Sequence, residues 1–276
     1  MKLRRSERMA VMTEYLLNNP HKTTSLNYFA EEYQTAKSSI SEDITLIKGA
    51  FEKRGIGRVD TITGANGGVI FTPTISYSDE LAILEELRTA LSDSDRVLPG
   101  GYLYLSDLLS TPKILKDAGR IIAKRFENEP IDVVMTVATK GVPLANAVAN
   151  ILNVPFVIVR RDLKITEGST VSVNYASGSS DRIEKMFLSK RSLKPGSRVL
   201  IVDDFLKGGG TVTGMVSLLK EFESDLVGVV VFAENASTDH SQLDFQSLLR
   251  VSDIDAQKQS VHVEIGSILQ VEDAKK

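Results

Sequence analysis

Cysteine is missing from this 276-residue chain, which excludes disulfides and thiolate zinc sites. Histidine is scarce. His21, His240 and His262 lie far apart in sequence, so a histidine-built metal centre is not expected. Long apolar runs are absent too, both the transmembrane kind and the short one of a secretory signal, so a soluble cytoplasmic protein with no membrane partner is expected. No G-x-x-x-x-G-K-[ST] string occurs, which excludes a P-loop nucleotidase by its own motif. Nor is there a large excess of one charge: the formal net charge is −3, and the whole-chain balance does not announce nucleic acid. The asymmetry within the chain is mild, with +2 over residues 1–73 and −5 over the remainder. Lys2, Arg4, Arg5 and Arg8 fall within the first eight positions.

What is present begins with helical periodicity. Met9, Met12, Leu16 and Leu17 recur at helix spacing from Ser6 until Asn18-Asn19-Pro20 stops them. Leu26, Phe29, Ala30 and Tyr33 suggest a second short helix with Ser25 as N-cap. A third starts near Lys37, where Ile40, Ile44, Ile47 and Phe51 form one stripe, and Gly55 ends it. Two short β-prone runs, residues 58–63 and 69–71, flank Gly64-Ala65-Asn66-Gly67-Gly68 and read as a hairpin. Three helices and a hairpin in about seventy residues match a winged helix-turn-helix. On the polar side of the third helix stand Lys37, Ser38, Ser39, Ser41 and Thr45, small or basic as major-groove contacts require. The alternative is an ordinary helical domain showing water a polar face. Glu42 and Asp43 count against DNA, because a carboxylate repels phosphate unless it reads cytosine or caps a neighbour. Asn66 and the Gly67-Gly68 backbone are candidate wing contacts, and Arg4, Arg5 and Arg8 complete the candidate DNA-binding set.

Thr72-Pro73-Thr74 marks the expected boundary between domains 1–73 and 74–276. Ser78 then reads as the cap of a helix carrying Leu81, Leu84, Leu87 and Leu91, a stripe that fits core or a dimer contact. From about residue 112 the pattern alternates helix and apolar strand: strands at 133–138, 156–159, 199–202 and 227–232, with helices between. Near-continuous β-branched strands separated by helices predict a parallel α/β sheet covered on both faces. In such sheets ligands bind at the carboxyl ends of strands. Asp203 and Asp204 stand at one of these ends, followed by Phe205, Leu206, Lys207, Gly208, Gly209, Gly210 and Thr211. Glycines let a backbone approach a ligand closely, and a helix N-terminus favours an anion. Paired carboxylates suit vicinal ribose hydroxyls or, through water, Mg²⁺. Together they describe a sugar phosphate; a ligand-free glycine-rich connection and an acidic metal pocket are the alternatives.

This stretch resembles the 5-phosphoribosyl-1-pyrophosphate (PRPP) motif of the type I phosphoribosyltransferases: apolar run, two acids, two apolar residues, a glycine-rich turn and a threonine. The resemblance implies that Asp203 and Asp204 hold ribose hydroxyls. It also implies that Lys207, Gly208, Gly209, Gly210 and Thr211 wrap the 5-phosphate. Ala138, Thr139, Lys140 and Gly141 match the loop that receives pyrophosphate, and Arg160 is a further phosphate candidate. Residues 162–190 fit the family's flexible loop that closes over the ligand. One departure stands out, since Lys207 occupies a position where the enzymes commonly carry Thr, Ala or Ser. Its charge strengthens ground-state binding, which by itself accelerates nothing. No acid/base residue for a nucleobase stands out either.

A winged helix domain followed by such a domain resembles the purine operon repressors of Gram-positive bacteria, over nearly the full chain. That resemblance implies a dimeric regulator, not an enzyme, bound to double-stranded operator DNA. It implies release by PRPP, alone or with Mg²⁺ and with no required cofactor, opposed by (p)ppGpp in the same pocket. Tyr102 and Phe205 would then be stacking or lid residues, or else simple core. An active purine or xanthine phosphoribosyltransferase and an RNA-binding attenuator on the same fold are the other readings.

Overall fold

A computed structural model describes residues 3–64, 67–176, 182–238, 242–255 and 257–269. The chain divides into two compact units, residues 1–77 with 151–153 and residues 78–150 with 154–276. In the first, helices α1 (Arg5–Asn18), α2 (Leu26–Glu32) and α3 (Lys37–Arg54) precede the antiparallel hairpin of β1 (Gly57–Ile62) and β2 (Gly68–Pro73). This is the winged helix-turn-helix arrangement. The Ser25 hydroxyl accepts the backbone N–H of Tyr28 at 3.2 Å, capping α2 as expected. Gly55 ends α3 at φ +60°, a left-handed conformation that suits glycine. Ile40, Ile44, Ile47 and Phe51 are buried together with Met12, Leu16 and Phe29 and with Val59, Val69 and Phe71 of the hairpin. Seven-residue α2 is too short to persist alone, so burial of Phe29, worth roughly 1.5–3 kcal/mol, holds it in place. On α1 only Met12 and Leu16 of the expected stripe turn inward fully; Leu17 stays 45% exposed.

The second unit opens with α4 (Tyr77–Leu91), which buries Leu84, Leu87 and Leu91. With α4 beginning at Tyr77, Ser78 lies in its first turn. Leu81, at 37% exposure, is the outward edge of the stripe. A small antiparallel arm follows, β3 (Val97–Leu98) and β4 (Tyr102–Leu103). Next come α5 (Pro112–Arg125), β5 (Val133–Val137), α6 (Val142–Leu152) and β6 (Phe156–Val159). The strands β7 (Thr170–Ala176) and β8 (Ile183–Ser189) precede β9 (Arg198–Leu206), α7 (Gly210–Glu221) and β10 (Asp225–Asn235). The unit closes with β11 (Gln246–Asp255) and β12 (Ser260–Ile265), two strands beyond those the sequence pattern suggests.

The main sheet runs β12-β11-β10-β9-β5-β6. Its strands pair in parallel except β12, which is antiparallel to β11 at the edge. All five residues of β5 are buried, as a strand covered on both faces requires. Chain order sets the site. From β5 the chain passes through α6 to β6 on one side, whereas from β9 it passes through α7 to β10 on the other. Neighbouring strands whose connections depart in opposite directions leave a crevice outside their carboxyl ends.

Residues 162–190 do not form one open loop. Their small polar composition suggested a flexible cover, but β7 and β8 pair along seven residues, from Thr170↔Ser189 to Ala176↔Ile183. Val171, Val173, Tyr175, Met186 and Leu188 of this ribbon join the core of the unit. Residues 177–181, part of the same expected loop, lie outside the described residues.

Candidate functional site

At the end of β5 the chain turns through Ala138, Thr139 and Lys140, all exposed, into buried Gly141 and then α6. Beside it β9 ends in Asp203 and Asp204. The Thr139 hydroxyl donates to Asp204 Oδ1 at 3.0 Å and lies 3.4 Å from Asp203 Oδ1. Gly141 makes this contact possible: a Cβ there would fall 2.8 Å from Asp203 Oδ1, 3.0 Å from Thr136 Oγ1 and 3.1 Å from the Asp204 nitrogen. A side chain at that position would drive the two loops apart.

The two aspartates are not equivalent. Asp203 is 4% exposed and accepts the Asp204 backbone N–H at 2.9 Å. Burial first, and then the neighbouring Asp204 charge, push Asp203 well above the usual carboxylate range. Asp204 is the one that lines the cleft, together with Tyr102, Lys140, Phe205 and Lys207. Five sequence-selected residues therefore meet there, and Asp203 stands behind them as support. Lys207 Nζ sits 4.6 Å from the centroid of the Tyr102 ring, a cation–π contact. Tyr102 is 57% exposed, which excludes the simple-core alternative for it.

The turn after Lys207 opens α7. Gly209 takes φ +74° at the helix N-cap, and a Cβ there would meet Leu243 at 2.5 Å. Its neighbours Gly208, Gly210 and Thr211 are partly accessible at a helix start, where N–H groups favour an anion, but none of them is among the residues that line the cleft. Arg160 departs from expectation. Its Nε donates to Glu167 Oε1 at 2.7 Å, and its backbone bridges to Phe187. Arg160 is paired with a carboxylate of its own loop and is not among the residues that line the cleft. Leu103, Leu105, Asn235 and Ile254 do line it. Asn235 ends β10 beside β9 and was in principle recoverable from strand order; the others come from elements whose approach only folding reveals.

In the first unit, Lys37, Ser38, Ser41 and Thr45 are exposed on α3, while Ser39 is half-buried. The Thr45 hydroxyl turns back to the Ser41 carbonyl at 2.9 Å. A groove lies between the starts of α2 and α3 and the hairpin, lined by Ser25, Asn27, Lys37, Thr61, Thr63 and the glycines of the wing, with no carboxylate. Asn66 lies outside the described residues. Arg4 and Arg5 are exposed at the start of α1, but Arg8 leaves the DNA-facing set. Its Nε donates to Asp43 Oδ2 at 2.6 Å, and both side chains are buried, at 8% and 0%. Arg5 Nε donates to the other oxygen of Asp43 at 2.9 Å, and its Nη2 lies 3.5 Å from Glu42 Oε2. Asp43, which in the sequence argues against a phosphate partner, is thus turned inward and neutralised by two arginines.

Among the described residues no helix is long and apolar enough to cross a membrane, and no group of three or more His, Cys, Asp or Glu is placed to hold a metal ion. Residues 4–73 match the family "Bacterial purine repressor, N-terminal", and residues 105–265 match "Phosphoribosyl transferase domain". The chain is 71% identical over 270 residues to a probable purine biosynthesis transcriptional regulator of Streptococcus pneumoniae, covering 97% of this chain and 98% of that one. It is 50% identical to the purine biosynthesis transcriptional repressor of Bacillus subtilis, covering 98% of this chain and 95% of the relative. The purine biosynthesis transcriptional activator of Lactococcus lactis is equally similar, at 50%, covering 96% of this chain and 98% of that one. Among solved structures, adenine phosphoribosyltransferase from Thermoanaerobacter pseudethanolicus shares the fold of the second unit, with a TM-score of 0.54 at 23% identity over 60% of this chain and 99% of that one. All three of these full-length relatives are named as regulators and none as an enzyme. The chain belongs to the bacterial purine repressor family: it is a transcriptional regulator of purine biosynthesis that carries a phosphoribosyltransferase-type domain.

Proposed function

We propose that this regulator is a repressor that senses PRPP. The first unit holds operator DNA, and PRPP in the cleft of the second unit releases it. The observation that carries this reading is the meeting of Asp204, Lys140 and Lys207 in one cleft at the carboxyl ends of β5 and β9, with the α7 turn following Lys207 in the chain. Each group has a matching part of the ligand. A carboxylate accepts hydrogen bonds from vicinal ribose hydroxyls, and Asp204 is the accessible one of the pair. The N–H groups of Gly210 and Thr211 suit the 5-phosphate at the helix start. Lys140 suits the diphosphate as a point charge. With no cluster of acids to hold it among the described residues, Mg²⁺ would arrive on the diphosphate and meet Asp204 through water. The resident charge of Lys207 raises ground-state affinity, as sensing demands and turnover does not.

(p)ppGpp presents a second diphosphate-bearing ribose to the same groups and is proposed to compete with PRPP without releasing DNA. A homodimer is proposed as the DNA-binding form, since two recognition helices read two half-sites one turn apart. Arg4, Arg5, Lys37, Ser38, Ser41 and the groove beside the wing form the proposed DNA-facing set.

Calorimetry with PRPP, with ppGpp, and with each in the presence of DNA from upstream of purine genes tests the reading. PRPP should bind, ppGpp should block it, and PRPP should shift DNA to the free form in a gel. Asp204→Ala should abolish that release while sparing DNA binding. Incubation with PRPP, Mg²⁺ and each purine base should yield no nucleotide; turnover on the order of 1 per second would establish a transferase instead. The Lactococcus relative is named an activator at the same identity as the Bacillus repressor. Transcript levels after deletion of the gene decide the sign, and repression requires that they rise.

A further inference from the structure

We infer that Arg96 is the positioning residue of the effector cleft: it locks the base of the β3–β4 arm whose tip, Tyr102, covers Lys207. The inference rests on the effector reading of that cleft. Backbone pairing holds the arm weakly, because only two residue pairs join its strands, Val97↔Leu103 and Leu98↔Tyr102, and of these four residues Val97 and Leu103 alone are buried. Gly100 and Gly101, at φ +85° and +72°, make its turn. Tyr102 is more than half exposed, so packing does not set its direction either.

Arg96 supplies what the arm lacks. Its Nε donates to the Ala90 carbonyl in the last turn of α4 at 2.6 Å. One terminal nitrogen donates to the Tyr104 carbonyl at 3.0 Å and to Asp107 Oδ1 at 2.7 Å, and the other to Asp107 Oδ2 at 2.8 Å. The Tyr104 N–H returns a bond to the Arg96 carbonyl at 2.9 Å. One side chain, 13% exposed, thereby ties α4, the chain leaving β4 and the turn before α5 into a fixed base. From that base Tyr102 reaches Lys207 at 4.6 Å. A preset arm lowers the ordering cost of binding, so loosening it weakens the ligand without removing a contact atom. Only a planar fork makes these bonds together; a lysine keeps the charge and loses the geometry.

The chain contains no tryptophan, so Tyr102→Trp installs a single fluorescent reporter at the tip of the arm. In that background Arg96→Lys should lower the anisotropy of the tryptophan and raise its quenching by acrylamide. Arg198→Lys is the control. It breaks a comparable fork to Asp132 at the start of β9 and should leave the reporter unchanged. In the otherwise native chain, Arg96→Lys should weaken PRPP about tenfold, the scale of one ordered aromatic contact, and Arg198→Lys should not. With Tyr102→Leu already present, Arg96→Lys should cost nothing further. An unchanged reporter, or an equal response to Arg198→Lys, overturns the inference. Absence of PRPP binding to the native chain would instead refute the effector reading, and the reporter comparison would still decide the arm.

Discussion

The Asp203 carboxyl is 4% exposed, accepts the Asp204 amide at 2.9 Å and lies against a second carboxyl. Its affinity for a proton is therefore higher in the folded chain than in the unfolded one. For an acid shifted upward, the contribution to stability is unpenalised below the unfolded value of about 3.9. It is lost as pH rises from there toward the folded value, because the unfolded chain ionises first. Asp203→Asn removes the titration and should stabilise the second unit at neutral pH by about 1–2 kcal/mol, the scale of relief at a strained functional site. The gain should vanish in thermal melts taken below about pH 4. Adjacency of the two acids was legible in the sequence, but their division of labour was not, since the letters carry no burial. The same holds for Glu42 and Asp43. On α3 one turns outward and the other meets Arg5 and Arg8 inside, because successive helical residues point about 100° apart.

At the scale of elements, two strand-to-helix junctions carry the cleft. The β5 to α6 junction has room only for glycine, with two polar atoms of the opposite loop and the Thr136 hydroxyl of β5 within 3.1 Å of an added Cβ. Gly141→Ala should therefore displace Asp203 and Asp204. Overpacking of this kind costs about 1–3 kcal/mol, which falling on the bound state would weaken PRPP roughly 5- to 150-fold in calorimetry, with DNA binding by the first unit unchanged. Both junctions were legible as glycine-containing turns after apolar strands. The β7–β8 ribbon was not. Thr170-Val171-Ser172-Val173-Asn174-Tyr175 does alternate at the period of a strand, but its small polar residues match a loop equally well. What decides it is contact with α7: Tyr175 and Met186 approach Gly214 so closely that a Cβ there would lie 2.9 and 2.8 Å from them. A half-buried ribbon needs that second surface before its alternation means anything.

For the whole molecule, the proposed regulation would be a coupling free energy between the operator and the cleft, and such a coupling is reciprocal. If PRPP weakens DNA binding by some factor, saturating operator DNA must weaken PRPP by the same factor, which is typically 5- to 150-fold. Two titrations, PRPP into free protein and PRPP into the operator complex, should give that ratio, and gel shifts with and without PRPP should return its equal. Unequal factors would mean that PRPP also acts outside this two-site cycle. The dependence on salt should belong to the DNA arm, since phosphate contacts release counterions. Lys37→Ala should therefore lower the salt slope of operator binding by about 1 and leave PRPP affinity unaltered.

Sequence alone determined most of the helices, the central parallel strands and their order, and the family to which the chain belongs. Local periodicity, caps and glycine turns depend on residues a few positions apart, and those are what a string displays. The helices of the first unit, the parallel strands and the loops bearing Thr139, Lys140, Asp203 and Asp204 were readable for that reason. Tertiary structure decided which charges are spent and which are free. Arg8 is committed to Asp43, Arg160 to Glu167 and Arg96 to Asp107, whereas Lys207 is left over an aromatic ring at the cleft. These pairings join residues from 7 to 35 positions apart, and the energy of a charge depends on the partner and the solvent that folding brings to it.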